Sequence, residues 1–146
     1  MTLQIWHHCV IKDFDEDCNE DRAMILIGLY RQEHKELLRP LVACGRNSDG
    51  ALSEELFPFY AEELARDSNE FVTILATSSP KDQSYICEWA ATGDGGGMPS
   101  EVTHKVLGNL RKVGGSVATR CARSYKVGNQ DVKENDRDHS EQPAQK

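Results

Sequence analysis

The sequence predicts an α+β domain, in which about two helices pack on one face of a mostly antiparallel sheet. Three observations favour this class. Short β-branched and aromatic runs come first along the chain, a helical segment and a hairpin pattern follow, and a second helical segment stands near the end. Because the chain has 146 residues, one domain is the expected organisation.

The first strand is expected over residues 3–11, which are rich in β-branched and aromatic side chains. An acidic loop over residues 13–21 follows. Residues 22–31 are apolar on both alternating faces, which is typical of a central strand covered on each side.

Residues 37–44 can return beside this strand as the second half of a hairpin. A helix from Asp21 through Leu38 is the competing interpretation, because Pro40 would end it and periodicity alone does not decide over this length. Residues 21–44 are therefore left as either helix or hairpin.

The middle of the chain predicts a helix and then a hairpin. Residues 52–67 have helical spacing, with Pro58 expected in the first turn. Residues 71–77 (FVTILAT) form the clearest strand pattern of the chain. The turn-forming residues 79–82 connect this pattern to a second strand predicted over residues 85–91.

A helix is predicted over residues 100–113, with Ser100 as its cap and Gly114-Gly115 at its end. Residues 116–126 remain open between a last strand and a second helix. Residues 128–146 have no aromatic side chain and few aliphatic ones. We therefore expect residues 1–127 to form the α+β domain and residues 128–146 to be a disordered polar tail.

Composition and cysteine usage limit the compartment and the class of protein. The formal net charge is −7, and no apolar run approaches the length that crosses a bilayer. Five cysteines at irregular spacing, without zinc-binding patterns, do not suggest a paired secreted framework, and at least three are expected to be buried thiols. These features predict a cytoplasmic protein, with a nuclear location as the alternative, and no contact with membranes.

Cofactor and metal motifs fail on inspection. The glycine-rich residues 93–97 match neither the Walker A pattern nor the dinucleotide pattern, so a connector is the better interpretation. Asp13, Asp15 and Asp17 resemble the start of a calcium loop, but its glycine and glutamate positions hold Cys18 and Met24. We expect no cofactor and no metal, and interpret the three aspartates as a solvated acidic face able to contact a partner.

Cys9 and His7 are weak catalytic candidates, because a strand would place them on the same face, and the distant His34 or His104 could activate the Cys9 thiolate instead. No signature around Cys9 supports a nucleophile. The sequence therefore predicts that the protein is not an enzyme, and a small cysteine- and histidine-dependent enzyme is kept as one alternative.

Residues 101–127 contain six bases and one acid, whereas the first hundred residues have a net charge of −10. Arg120, Arg123 and Lys126 recur every three residues, so on a helix they would form a basic face for nucleic acid or for an acidic partner. The acidic remainder of the chain opposes nucleic-acid binding.

By elimination, the sequence predicts a non-catalytic protein–protein interaction module, such as a regulator, an inhibitor or a small complex subunit. Its acidic surface suits a basic protein partner. Nucleic-acid binding through residues 100–126 is the second hypothesis, and the sequence does not indicate an oligomeric state.

Overall fold

The computed structural model describes residues 18–45 and 50–141, with side chains described as far as residue 135. Helices occupy these ranges: α1 Glu20–Arg31, α2 Leu38–Cys44, α3 Gly50–Leu75, α4 Pro80–Thr92, α5 Ser100–Val113 and α6 Gly115–Glu141, with a 3-10 turn at Lys35–Leu37 before α2. The described residues contain no strand. The predicted α+β class and its sheet are therefore wrong, and the fold is all-α. The strand predicted over residues 3–11 lies outside the described residues.

Helix α1 replaces the central strand predicted at residues 22–31. The side chain of Asn19 accepts a hydrogen bond from the Arg22 N–H, which satisfies one of the free donors at the helix start. The helix ends where Glu33 takes a positive φ of 77°. The competing interpretation, a helix from Asp21 through Leu38, was thus correct about the type of element but extended the helix too far. Buried residues repeat with helical spacing: Ala23, Leu26, Ile27 and Tyr30.

Residues 37–44 are the 3-10 turn and α2 rather than a hairpin strand. Pro40 lies in the first turn of α2, where its missing N–H costs nothing, so it begins a helix instead of ending one.

Helix α3 contains the residues predicted as the clearest strand, 71–77, as far as Leu75. Its path is interrupted at Asp67, whose φ of −146° and ψ of 75° are not helical. The Asp67 carboxylate then accepts from the Glu70 N–H, so it caps the part of the helix that follows. Phe71, Val72 and Leu75 are buried at helical spacing, and this packing outweighs their modest intrinsic preference for strands. Pro58 lies well inside α3, not in its first turn.

The hairpin predicted over residues 71–91 is absent, because its turn is the start of α4. The Ser79 hydroxyl accepts from the Asp82 N–H at 3.2 Å, and Pro80 is the first helical residue. Serine followed by proline suits a helix start as well as a turn, which explains the error.

Helix α5 confirms the helix predicted over residues 100–113, and it ends at Gly114. Its cap is Pro99 rather than Ser100. Helix α6 settles residues 116–126 as a helix and continues beyond the predicted domain boundary at residue 127. Gly128 and Val132 are buried, so the packed part of the chain extends past that boundary. An apolar position every four residues is enough to hold this polar stretch against a neighbouring helix.

Helices α4 and α6 pack closely and run in the same direction. Cys87 of α4 is joined to Cys121 of α6, with Cα atoms 5.2 Å apart. A Cβ on Gly128 would overlap the carbonyl oxygen of Glu88 and lie 3.1 Å from the Ala91 Cβ. The contacting residue numbers rise together on both helices, which fixes the parallel orientation.

Helices α3 and α5 are joined by Asn109, whose amide donates to the Ala65 carbonyl at 2.8 Å, just before the interruption of α3. The α1–α2 pair covers another side of α3, where the Tyr60 hydroxyl donates to the Leu41 carbonyl. Cys18 and Cys44 are joined beside this contact, with Cα atoms 5.8 Å apart.

Four of the five cysteines are therefore paired. The burial of Cys44, Cys87 and Cys121 confirms the expectation that at least three are buried. Their pairing contradicts the expectation of free thiols, because spacing along the chain does not reveal which cysteines meet after folding. Among the helices described, none combines the length and the apolar character that crossing a bilayer demands.

Candidate functional site

An aromatic cluster lies where α3 meets α4. The Trp89 ring stacks on the Phe57 ring, with centroids 6.0 Å apart and planes at 23°. Tyr85 lies one turn before Trp89 on α4 and contacts both rings. Phe57 is 3% exposed, whereas Trp89 is 43% exposed. The cluster therefore buries one ring and presents another to solvent.

Trp89 forms a shared wall between two adjoining clefts of about 360 and 370 Å³. The first cleft lies between the start of α3 and the loop after α4, and the second lies between α4 and α6. We call the two clefts together the Trp89 groove. Thr92 and Gly95 line both clefts, as Trp89 does.

The charged residues that the structure describes in the Trp89 groove have the same sign. Among the described residues, its lining includes five carboxylates and no lysine or arginine: Glu54, Glu88, Asp94, Asp131 and Glu134. None of them forms an ion pair within the described part of the chain. Walls of low polarity lined by one sign of charge concentrate the potential inside a cleft. An exposed indole face adds attraction for a cation, about 0.5–1 kcal/mol at such a site.

The glycine-rich loop at residues 93–97 shapes the edge of this groove and is unsuited to bind phosphate. The N–H groups of Gly95 and Gly97 both donate to the Thr92 carbonyl, at 2.9 and 2.8 Å. The Gly96 N–H donates to the Asp94 carboxylate. These donors are turned inward, so the loop is a connector as predicted, although it follows a helix and not a strand.

A second polar cluster joins α1 to α3. Glu63 is 5% exposed and accepts from the Tyr30 hydroxyl and from Arg66, each at 2.6 Å to the same oxygen. Arg66 also donates to the second Glu63 oxygen at 3.1 Å and to Tyr30 at 2.8 Å. Both carboxylate oxygens therefore accept hydrogen bonds from Tyr30 or Arg66, which ties Glu63 into the contact between α1 and α3.

This cluster shifts the pKa of its two other members. Burial, and then the hydrogen bond to Glu63, raise the pKa of Tyr30 well above that of an exposed phenol. The hydrogen bonds from Arg66 to Glu63 raise the pKa of the guanidinium, which stays charged. Both groups therefore keep their protons at neutral pH.

Arg120, Arg123 and Lys126, which the sequence placed on one basic face, lie in two different surroundings. Arg120 donates to the Gln83 side chain at 2.7 Å and is thereby held against α4. Arg123 and Lys126 instead line a cleft of about 340 Å³ between α5 and α6, together with Arg111. We call this the basic cleft. Helical spacing of three residues spreads side chains over a wide arc, which explains the division.

The remaining predicted residues lie outside the described residues. This applies to the weak catalytic candidates Cys9 and His7 and to the acidic candidates Asp13, Asp15 and Asp17. Across residues 18–45 and 50–135, no three metal-ligating side chains come together.

Sequence reasoning did not select Trp89, Tyr85 or Phe57 as site residues. Tyr85 and Trp89 are four apart, which is the spacing that places two rings on one helix face. That signal was available but was interpreted as a hairpin strand. The contact with Phe57 arises only when α3 and α4 pack.

Comparison with known proteins adds no relative. No family model, curated protein or solved structure matches this chain.

Proposed function

We propose that this protein is a non-catalytic protein–protein interaction module that binds a basic segment of a partner protein in the Trp89 groove. The observation that carries the proposal is the half-exposed Trp89 ring among five carboxylates, with no base among the described residues of the lining. A lysine or arginine side chain of the partner would lie over the indole, and neighbouring bases would meet the carboxylates. Regulator, inhibitor and complex subunit are all consistent with such a role.

The paired cysteines indicate the type of compartment in which the protein would bind this partner. Disulfides persist in oxidising compartments and are rare in the cytoplasm. The Cys18–Cys44 and Cys87–Cys121 pairs therefore favour an oxidising compartment over the predicted cytoplasmic one. We propose that the partner is encountered there.

Calorimetric titration with synthetic peptides tests the proposed binding. A peptide of alternating lysine and serine is expected to bind, and the same peptide with glutamate for lysine is not. Trp89→Leu should lower the affinity by about two- to fivefold, the equivalent of one exposed cation–π contact. The double variant Asp131→Asn and Glu134→Gln should lower the peptide affinity further at low salt. The affinity should also depend less on ionic strength.

Glu62→Gln is the matched control, because Glu62 is an exposed carboxylate that pairs with Arg31 and lies outside the groove. It should leave the affinity within about 1.5-fold, since exposed pairs and distant charges contribute little. Equal losses from Glu62→Gln and from the groove variants would show attraction to net charge alone and would contradict the proposal.

A further inference from the structure

The basic cleft is formed by the way α6 folds back on α5. Gly114 and Gly115 have positive φ values of 68° and 88°. Residues with an L side chain adopt such values only with strain. This two-glycine turn sets the end of α5 beside the start of α6. The cleft between them shares no residue with the Trp89 groove.

The floor of the basic cleft is aliphatic. Leu110 and Ala118 are 1% and 0% exposed, and the partly buried Leu107 and Ala122 extend the apolar surface toward the opening. The small side chains of the two alanines leave room for an apolar group from outside. No aromatic ring is among the described residues that line the cleft, so these residues offer no platform on which nucleic-acid bases could stack.

The rim of the cleft is positive. Arg111, Arg123 and Lys126 are exposed, and no acidic residue is among the described residues that line the cleft. In the described part of the chain, none of the three forms an ion pair. The rim of the basic cleft is thus positive, whereas the lining of the Trp89 groove is negative. The net charge of the whole chain is −7.

We propose that the basic cleft is a second docking site, which receives an acidic segment of a partner protein. One apolar side chain of that segment enters the aliphatic floor, and flanking carboxylates meet Arg111, Arg123 and Lys126. The acidic remainder of the surface repels such a segment, so long-range electrostatics direct it to this cleft. The site is independent of the proposed function, because it depends on other residues and on the opposite charge.

Fluorescence anisotropy with labelled peptides tests this site. The probe Asp-Glu-Leu-Glu-Asp is expected to bind more tightly than Asp-Glu-Ser-Glu-Asp, which lacks the apolar anchor. Arg111→Gln combined with Arg123→Gln should weaken binding of the leucine peptide by about three- to tenfold, from two exposed ion pairs. Thr119→Glu, an exposed position on the cleft edge, adds a carboxylate and should abolish binding.

Lys112→Gln is the matched control, because Lys112 neighbours Arg111 but does not line the cleft. It should change the affinity by less than about 1.5-fold. Trp89→Leu should leave the acidic peptide unaffected, which separates this proposal from the basic-partner proposal. All variants are at exposed positions, and an unchanged thermal melting curve verifies that each one is folded.

Three outcomes would overturn the proposal. Equal binding of the leucine and serine peptides would show that no apolar side chain enters the floor. Tighter binding of a single-stranded or duplex oligonucleotide, lost with Arg123→Gln, would assign the cleft to nucleic acid. Sedimentation showing dimers that Thr119→Glu dissociates would assign it to a second copy of this chain.

Discussion

The hydroxyl of Tyr30 donates a 2.6 Å hydrogen bond to Glu63 and so ties α1 to α3 across a buried interface. Arg66 occupies the same carboxylate from the solvent side. Glu63→Ala removes the acceptor and leaves the Tyr30 hydroxyl buried. We expect a loss of about 2–4 kcal/mol in the free energy of unfolding, measured by urea denaturation.

Glu62→Ala is the comparison for this variant. Glu62 is the neighbouring carboxylate, and its 3.1 Å pair with Arg31 is exposed on both sides. Loss of this pair in Glu62→Ala should lower the free energy of unfolding by less than about 1 kcal/mol. Similar costs for the two variants would show that Glu63 is not held in a buried network.

Stability should fall at alkaline pH. Burial is the main cause that raises the pKa of Tyr30, Tyr60 and Tyr125 above the value of about 10 for an unfolded phenol. The folded state therefore holds these protons more tightly than the unfolded state. The resulting stability is fully present below pH ~10 and is lost as the pH rises beyond it.

Ultraviolet titration of tyrosinate, followed together with circular dichroism, measures this effect. At least three tyrosines should ionise only as the helices unfold. Ionisation of all four near pH 10 with the helical signal intact would contradict the burial of these phenols.

The packing of α6 beyond residue 127 is tested by one glycine substitution. Gly128→Ala places a Cβ against the Glu88 carbonyl, which is backbone and yields poorly, so we expect a loss of about 1–3 kcal/mol in thermal or urea unfolding. Gly108→Ala in α5 meets nothing within 4 Å and should stabilise by about 0.5–1 kcal/mol. A stabilising Gly128→Ala would instead support the predicted disordered tail.

The cysteine pairs predict a thiol count. Protein produced in an oxidising compartment and unfolded without reductant should show at most one reactive thiol per chain, and five after reduction. Replacing both Cys87 and Cys121 by alanine should lower stability by about 2–4 kcal/mol, because the unfolded chain loses a constraint across 34 residues. Five reactive thiols before reduction would contradict both pairs.

The sequence predicted some elements correctly because their signals are local. The helix over residues 100–113 has an apolar stripe, basic residues in its last turn and two glycines at its end, and the structure confirms it. The connector at residues 93–97 was likewise recognised from its glycines. The exclusion of a phosphate loop rested on missing residue types, and the inward N–H groups agree with it.

The strands wrongly predicted at residues 22–31 and 71–77 share one cause. Residues 22–31 and 71–77 are short apolar runs with β-branched members, and periodicity does not separate a buried helix from a buried strand over such lengths. Their conformation depends on what covers them. Phe71 is fully buried on α3, and no local pattern shows which segments bury it.

By itself, then, the sequence determined the charge distribution, the helices over residues 52–67 and 100–113 and the mismatch with the cofactor motifs, because these follow from residue type and near neighbours. Only the tertiary structure decided the all-α class, the two cysteine pairs, the Trp89 groove and the basic cleft. Phe57 meets Trp89, and Cys87 meets Cys121, across more than 30 residues of chain. Contacts at that separation depend on how whole helices pack, and packing energy is a property of the complete fold and not of any local segment.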